Sequence, residues 1–386
     1  MKERIHIGFF GCRNVGKSSL VNKVTNQDMS IVSDIKGTTT DTVKKSMELL
    51  PIGPVLIIDT PGFDDEGKLG EKRVNATKKI LQNCDIAVLV TEADRDLNDV
   101  EKSLIYVFKD RNIPYLIAKN KADILKKQRS NEERIIYTSA IENIGIEELK
   151  IAIGKSVKSD ENELHLVSDL IKPKGIVILV TPIDSAAPKN RLILPQQLAI
   201  RDIIDIGAIP IVAKETELDE VLNSLKKEPA LVITDSQVFD LVNKIVPKNI
   251  LLTSFSILMA RYKGFLTTAF NGVEKINKLD NNSKILISEG CTHHRQCDDI
   301  GTVKLPKMLE KFSGKKLNYE WTSGLGFPDD LSKYDLIIHC GGCMLNSNEM
   351  KFRMNKAVEQ NVAFTNYGMA IAYMNGILER SMEIFK

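Results

Sequence analysis

Short runs of β-branched and aliphatic residues alternate along this chain with longer stretches in which apolar positions return every third or fourth residue. The first pattern has the period of a buried strand and the second that of an amphipathic helix, so their alternation predicts βα units built around parallel sheets. In the first part of the chain, Ile5 to Phe10, Val55 to Asp59, Ile86 to Val90, Tyr115 to Ala118 and Ile135 to Thr138 read as core strands, with Val43 to Leu50 as an extra edge strand. A helix is expected after each core strand. A second alternation starts at Gly175, with Ile176 to Val180, Ile209 to Val212, Leu231 to Thr234 and Ile250 to Thr253 as strands and Glu217 to Lys227 among the helices. A third starts near Lys284, with Lys284 to Ser288 and Asp335 to His339 as strands.

The polar stretch Gly154 to Glu163 reads as a linker, and Lys172-Pro173-Lys174-Gly175 soon afterwards breaks any helix. The expected fold class is α/β, with three doubly wound domains over residues 1–160, 170–265 and 266–386. The later two are compatible with diverged copies of one βαβ plan. The middle one has no ligand cluster and is rich in Ile, Leu and Val, which points to a structural part that pairs with a second copy of itself.

A chain of 386 residues exceeds the usual size of one core, in line with several domains. Its formal charge of +2 supplies no basic field of the kind that holds nucleic acid through counterion release, so nucleic acid is not an expected partner. No run is long enough to span a bilayer, and the apolar N-terminal segment leads straight into a glycine-rich loop instead of a cleavage site. No membrane partner is expected, and the expected location is cytoplasmic. The six cysteines are Cys12, Cys84, Cys291, Cys297, Cys340 and Cys343. In a cytoplasmic protein they point to metal or redox use before disulfides, with Cys12 and Cys84 as packing residues.

The stretch Gly11-Cys12-Arg13-Asn14-Val15-Gly16-Lys17-Ser18 follows the first strand, where a phosphate cradle turns a strand into a helix. Backbone N–H groups from Gly11 to Gly16 can meet phosphate oxygens, Lys17 can neutralise the β/γ charge, and Ser18, with Ser19 beside it, can ligate magnesium. Thr38 and Thr39 lie in Gly37-Thr38-Thr39-Thr40-Asp41, a polar loop able to place a threonine on the magnesium and the γ-phosphate. Asp59 and Gly62, in Asp59-Thr60-Pro61-Gly62, offer a carboxylate to the metal and an N–H to the γ-phosphate. Asn120-Lys121-Ala122-Asp123 selects the base, because the Asp123 carboxylate matches the two donors on guanine and adenine has no such pair. Ser139 and Ala140 supply the loop that contacts the guanine oxygen. Five such segments in order define a GTP and Mg2+ site in which Lys17, Thr39, Asp59 and Gly62 serve hydrolysis.

In the last third, Glu289-Gly290-Cys291-Thr292-His293 and His339-Cys340-Gly341-Gly342-Cys343 each leave the end of an expected buried strand, so two distant segments converge on one crevice. Cys340 and Cys343 have a spacing that turns two thiolates onto one metal centre, and Cys291 brings a third. With one Cys-x-x-Cys pair only, a closed zinc site fits less well than a 4Fe-4S cluster with one exchangeable iron. His293, Cys297, Asp298, His339 or water could hold its fourth position.

The Gly-Thr-Thr-x-Asp loop and the Asp-Thr-Pro-Gly box over roughly the first 155 residues resemble the small GTPases of the TrmE and Era type. That resemblance implies a potassium ion beside the phosphates at Asn14, and Phe63 at the position of a water-orienting glutamine implies slow intrinsic hydrolysis. The pattern Cys291-x-His293, a long gap, then His339-Cys340-x-x-Cys343 resembles the C-terminal part of the HydF family of FeFe-hydrogenase maturation GTPases, and with the front domain the likeness covers the whole chain. It implies Cys291, Cys340 and Cys343 as cluster ligands, with His293 and His339 associated and Cys297 outside the pattern. It also implies a carrier that holds the two-iron subcluster precursor made by radical-SAM maturases and delivers it to the FeFe-hydrogenase apoprotein, with GTP regulating partner release. The competing expectations are a TrmE/Era-like regulatory GTPase with a zinc-binding accessory domain, and a dithiol redox enzyme.

Overall fold

The computed structural model describes residues 5–26, 43–62, 80–82, 84–125, 129–158, 165–183, 192–290, 300–324 and 326–386. The chain divides into two compact units, one up to residue 163 and one from residue 164 onward.

The first unit is a six-stranded sheet. Its strands are β1 (Ile5–Gly11), β2 (Val43–Leu49), β3 (Gly53–Asp59), β4 (Ile86–Glu92), β5 (Tyr115–Asn120) and β6 (Ile135–Tyr137), in the order β2-β3-β1-β4-β5-β6. All pairs are parallel except β2 with β3. The central strands are buried on both faces, with Ile7, Phe9, Ile57, Val88 and Val90 inaccessible to solvent, which accounts for the unbroken apolar runs. The helix Ile146–Lys158 runs through residues 154–158, where a linker was expected. Ile146, Leu149 and Ile153 return at helical spacing and are buried, while the polar residues that resembled a linker occupy the outer turns.

The second unit contains two four-stranded parallel sheets. One is formed by β7 (Ile176–Val180), β8 (Ile209–Ala213), β9 (Leu231–Thr234) and β10 (Leu251–Ser254), in the order β10-β9-β7-β8. The other is formed by β11 (Lys284–Glu289), β12 (Asn318–Ser323), β13 (Leu336–His339) and β14 (Ala363–Asn366), in the order β12-β11-β13-β14. In both, the first and third strands lie at the centre, so the two sheets share one winding plan. One hydrophobic cluster runs through both, joining Ile178, Val232 and Leu252 to Ile285, Ile337 and Phe364. Polar ties reinforce it: Asn366 Nδ2 donates to the Ser256 carbonyl at 2.9 Å, and the Gly368 N–H to Ser256 Oγ at 3.2 Å. The strands β12 and β14 were not anticipated from the sequence.

Arg380 fastens the last helical segment to the β7–β10 half of this unit. Its guanidinium, nearly buried, donates to Asn243 Oδ1 at 2.7 Å and to the carbonyls of Val246 at 3.1 Å and Ile250 at 3.2 Å. Arg380→Met keeps most of the apolar stem and removes the donors, leaving buried carbonyls unpaired. Denaturant unfolding of the full chain is expected to show a loss of about 2–4 kcal/mol in the transition of this unit.

Candidate functional site

The phosphate loop is the turn between β1 and the helix Lys17–Thr25. Val15 is buried and anchors the loop, while Asn14 (φ +64°) and Gly16 (φ +80°) hold the left-handed conformation that turns successive N–H groups inward. Gly16 is required twice over, since a Cβ there would also lie 2.4 Å from Asn120 Nδ2. Lys17 is buried and its ammonium pairs with the Asp59 carboxylate at the end of β3. Ser18 Oγ lies 3.2 Å from the other oxygen of Asp59, and Ser19 is half-buried on the same helical turn. Thr60 fixes the register of this segment by donating its hydroxyl to the Phe9 carbonyl at 2.8 Å. Gly62 stands against Arg13, close enough that a Cβ would sit 2.9 Å from its side chain. One ammonium, one hydroxyl and one carboxylate thus meet beside a helix N-terminus, the donor set that a magnesium-bound triphosphate requires. Thr38, Thr39 and Phe63 lie outside the described residues.

The base-side loops are joined to the cradle by Asn120. Its Nδ2 donates to the Val15 carbonyl at 2.9 Å, and its Oδ1 accepts the Ala140 N–H at 3.3 Å, so one buried amide links three loops. Lys121 adopts φ +62° and reaches Glu92 Oε1 at 2.5 Å. Asp123 is exposed in the helical turn Ala122–Ile124, and Ser139 Oγ closes its own loop by accepting the Glu142 N–H at 3.1 Å. The hydrogen bond from Lys121, opposed by burial and reinforced by Arg95, holds the Glu92 carboxyl below its ordinary value.

Sequence reasoning missed Glu92, Arg95 and Glu101, which brace this corner. Arg95 grips both oxygens of the buried Glu101 at 2.7 and 2.8 Å and touches Glu92 at 3.1 Å. The legible signal was Asn98-x-x-Glu101, a capping box that opens the helix Asp99–Asp110.

In the second unit, β11 ends at Glu289 and β13 at His339, adjacent parallel strands whose loops leave side by side. The Gly290 N–H donates to Cys340 Sγ at 3.0 Å, and the Gly342 N–H approaches the same sulfur at 3.4 Å. Two backbone donors on one sulfur favour its thiolate form, the form that binds metal. Cys340 and Cys343 are half-buried and not in a disulfide. Cys291, His293, Cys297 and Asp298 lie outside the described residues, and among the described residues no group of three or more metal-ligating side chains gathers.

His339 departs from its expected place among the fourth-ligand candidates. The ring is fully buried, with Nδ1 2.8 Å from the Cys340 carbonyl and Nε2 3.0 Å from Arg353 Nη1. Burial first, then the adjacent guanidinium, pushes its pKa down to about 3. The neutral imidazole has both nitrogens engaged and no lone pair left to give a metal.

The cradle, lysine, carboxylate and base-side asparagine on a mixed sheet define the first unit as a P-loop GTPase-type domain, and residues 6–121 match the model of the 50S ribosome-binding GTPase family. Residues 166–264 match the Hydrogen maturase F dimerization domain and residues 267–384 the Hydrogen maturase F tetramerization domain. With these two models following one another over more than half of its length, the chain belongs to the hydrogen maturase F (HydF) family. The tRNA modification GTPase MnmE of Thermoanaerobacter sp. (strain X514) is 34% identical over 161 residues, which are 40% of this chain and 34% of that protein. MnmE of Acetivibrio thermocellus is 29% identical over 216 residues, 53% of this chain and 46% of that protein. The matched residues therefore span about a third to just under half the length of these curated relatives. Among solved structures, the G domain of the T. maritima FeoB iron transporter has 22% identity and a TM-score of 0.31, covering 40% of this chain and 99% of that one. Era of Aquifex aeolicus has 18% identity and a TM-score of 0.36, covering 55% and 95%.

Asn120→Ala removes the link between cradle and base loops without touching the phosphates. Nucleotide binding, followed by the fluorescence of a labelled guanosine nucleotide, is expected to weaken by about 10-fold or more, the equivalent of one to two buried hydrogen bonds.

Proposed function

We propose that this chain is a GTP-hydrolysing switch joined to an iron–sulfur carrier site, working in the maturation of FeFe-hydrogenase. The observation that carries the first half is the meeting of Lys17, Ser18 and Asp59 beside the phosphate loop. In hydrolysis, water attacks the γ-phosphorus, the bond to the β-phosphate oxygen breaks, and GDP and phosphate leave. Lys17 neutralises charge on the β- and γ-oxygens, and the Gly62 N–H meets the γ-phosphate. Ser18 and Asp59, with Thr39, would hold the magnesium, which supplies charge neutralisation on the phosphates. Asn14, exposed at the lip of the loop, is the proposed potassium contact, so Asn14→Ala is expected to abolish any stimulation of turnover on exchanging sodium for potassium.

Asp123 sets the choice of base. Asp123→Asn turns a carboxylate that accepts from the N1–H and N2 amino group of guanine into an amide that can donate to the O2 of xanthine. GTP affinity is expected to fall by about 2–5 kcal/mol while xanthosine triphosphate binds better than it does to the parent. Unchanged preference in a competition assay would remove the assignment.

The second half rests on the thiols. The sulfur of Cys340 takes an N–H from Gly290, and Gly290 directly precedes Cys291 in the chain, which supports a common site for the two cysteine segments. Cys291, Cys340 and Cys343 would hold the 4Fe-4S cluster, with the fourth position left to Asp298, His293, Cys297 or solvent. The cluster supplies a point of attachment for a two-iron precursor received from radical-SAM maturases and passed to the hydrogenase apoprotein. Anaerobic purification of the full chain is expected to give a brown protein whose visible absorption bleaches with dithionite and is lost in Cys340→Ala. A colourless protein with one zinc per chain would favour the regulatory GTPase with a zinc-binding accessory domain instead.

Self-association is proposed for the edge strand β8. Ile209 and Val212 are 51% and 45% exposed on the outermost strand of its sheet, an apolar edge that monomers seldom leave open. Ile209→Lys with Val212→Lys is expected to shift the sedimentation coefficient toward a smaller species.

A further inference from the structure

The loop carrying Cys340 rests on a buried charged network in which no residue was assigned a role from the sequence except His339. Arg353, in the helix Ser347–Glu359, is fully buried. Its Nε donates to Glu349 Oε1 one turn earlier at 2.7 Å, and its Nη2 donates to the Gly324 carbonyl just past β12 at 2.7 Å. Its Nη1 lies 3.0 Å from His339 Nε2. A guanidinium offers only donors, so Nε2 accepts, and the ring proton must sit on Nδ1. Nδ1–H therefore donates to the Cys340 carbonyl at 2.8 Å, while the Cys340 N–H donates to the Ser288 carbonyl at 2.8 Å. Both peptide groups of Cys340 are thus held.

A buried ion pair of this kind contributes little net stability, because desolvation offsets much of its attraction. Apolar side chains of similar volume would fill the space as well. What they could not do is fix a tautomer and a carbonyl one residue from a metal-binding sulfur. We propose that Arg353 is a positioning residue for the thiol loop, acting through His339 as a relay to the Cys340 peptide and through Gly324 to the end of β12. This inference rests on the iron–sulfur reading, and it gives the histidine of His339-Cys340-Gly341-Gly342-Cys343 a structural duty instead of a bond to iron.

The test uses the full chain, reconstituted anaerobically with iron and sulfide, and four variants. His339→Phe keeps the ring shape and loses both nitrogens, His339→Asn restores a donor toward the Cys340 carbonyl, Arg353→Lys keeps the charge without the fork, and Cys340→Ala removes the sulfur. Iron per chain, rate of iron loss to a chelator, reduction potential and the paramagnetic resonance spectrum of the reduced state are read for each. His339→Phe and Arg353→Lys are expected to lose iron about 10–100-fold faster than the parent, with a changed potential, and His339→Asn to recover most of the retention. Parent-like retention, potential and spectrum in both His339→Phe and Arg353→Lys would overturn the proposal. So would nitrogen hyperfine coupling from a directly bound imidazole that is present in the parent and absent in His339→Phe. If His339→Phe fails to fold, as judged by circular dichroism, His339→Asn against Arg353→Lys decides the same question. Iron content in Cys340→Ala equal to the parent would bring down the iron–sulfur reading itself, an outcome distinct from the others.

Discussion

Parallel pairing is the constraint on which this architecture depends. Strands that all run the same way put all their carboxyl ends on one edge of the sheet, and each must then leave through a loop at that edge. The phosphate loop after β1, the Asp59 segment after β3, the Asn120 segment after β5 and the Ser139 segment after β6 are neighbours for that reason alone. The same geometry brings Gly290 after β11 beside Cys340 after β13. Residues far apart in sequence are delivered to one place by strand order, and side chains such as Asn120 then set the final distances.

Much of this was legible because buried parallel strands leave unbroken apolar runs. The eleven core strands read from the sequence all occur, with ends displaced by a few residues, as does the antiparallel edge strand β2. Two strands escaped for physical reasons. In β12, Asn318-Tyr319-Glu320-Trp321-Thr322-Ser323 is a half-exposed edge that needs no apolar run, and β14 is a four-residue strand whose Thr365 and Asn366 look polar although both are buried. The linker misreading has a related cause. Residues 154–158 have the composition of a loop, and only the buried Ile146, Leu149 and Ile153 in the preceding turns reveal the helix.

The nucleotide site was far more readable than the network around it. Phosphate, metal and base recognition demand particular residue types at fixed spacing, so they leave motifs. The residues that hold those motifs in place answer only to local geometry. Arg95 at the base corner, and Arg353 and Glu349 beneath the thiol loop, are charges whose place is set by three-dimensional contacts, and apart from the capping box that marks Glu101 no motif announces them. His339 shows the limit of composition: beside two cysteines it reads as a ligand, and the three-dimensional fold sets its ring between the Cys340 carbonyl and Arg353.

The two sheets of the second unit follow the same winding, and even their last strands end alike. Thr253-Ser254-Phe255 and Thr365-Asn366-Tyr367 each place a capping side chain on the N–H three residues ahead, at 3.3 and 2.8 Å. Yet the segment after the third strand is Cys340-Gly341-Gly342 in one and Asp235-Ser236-Gln237 in the other. Had this layout been assembled from two separate but identical polypeptides, every altered residue would have appeared on both sides at once. A single covalent chain lifts that obligation: one half carries thiols after its third strand while its counterpart carries a carboxylate and a hydroxyl, so lopsided chemistry rests on a frame of repeated layout.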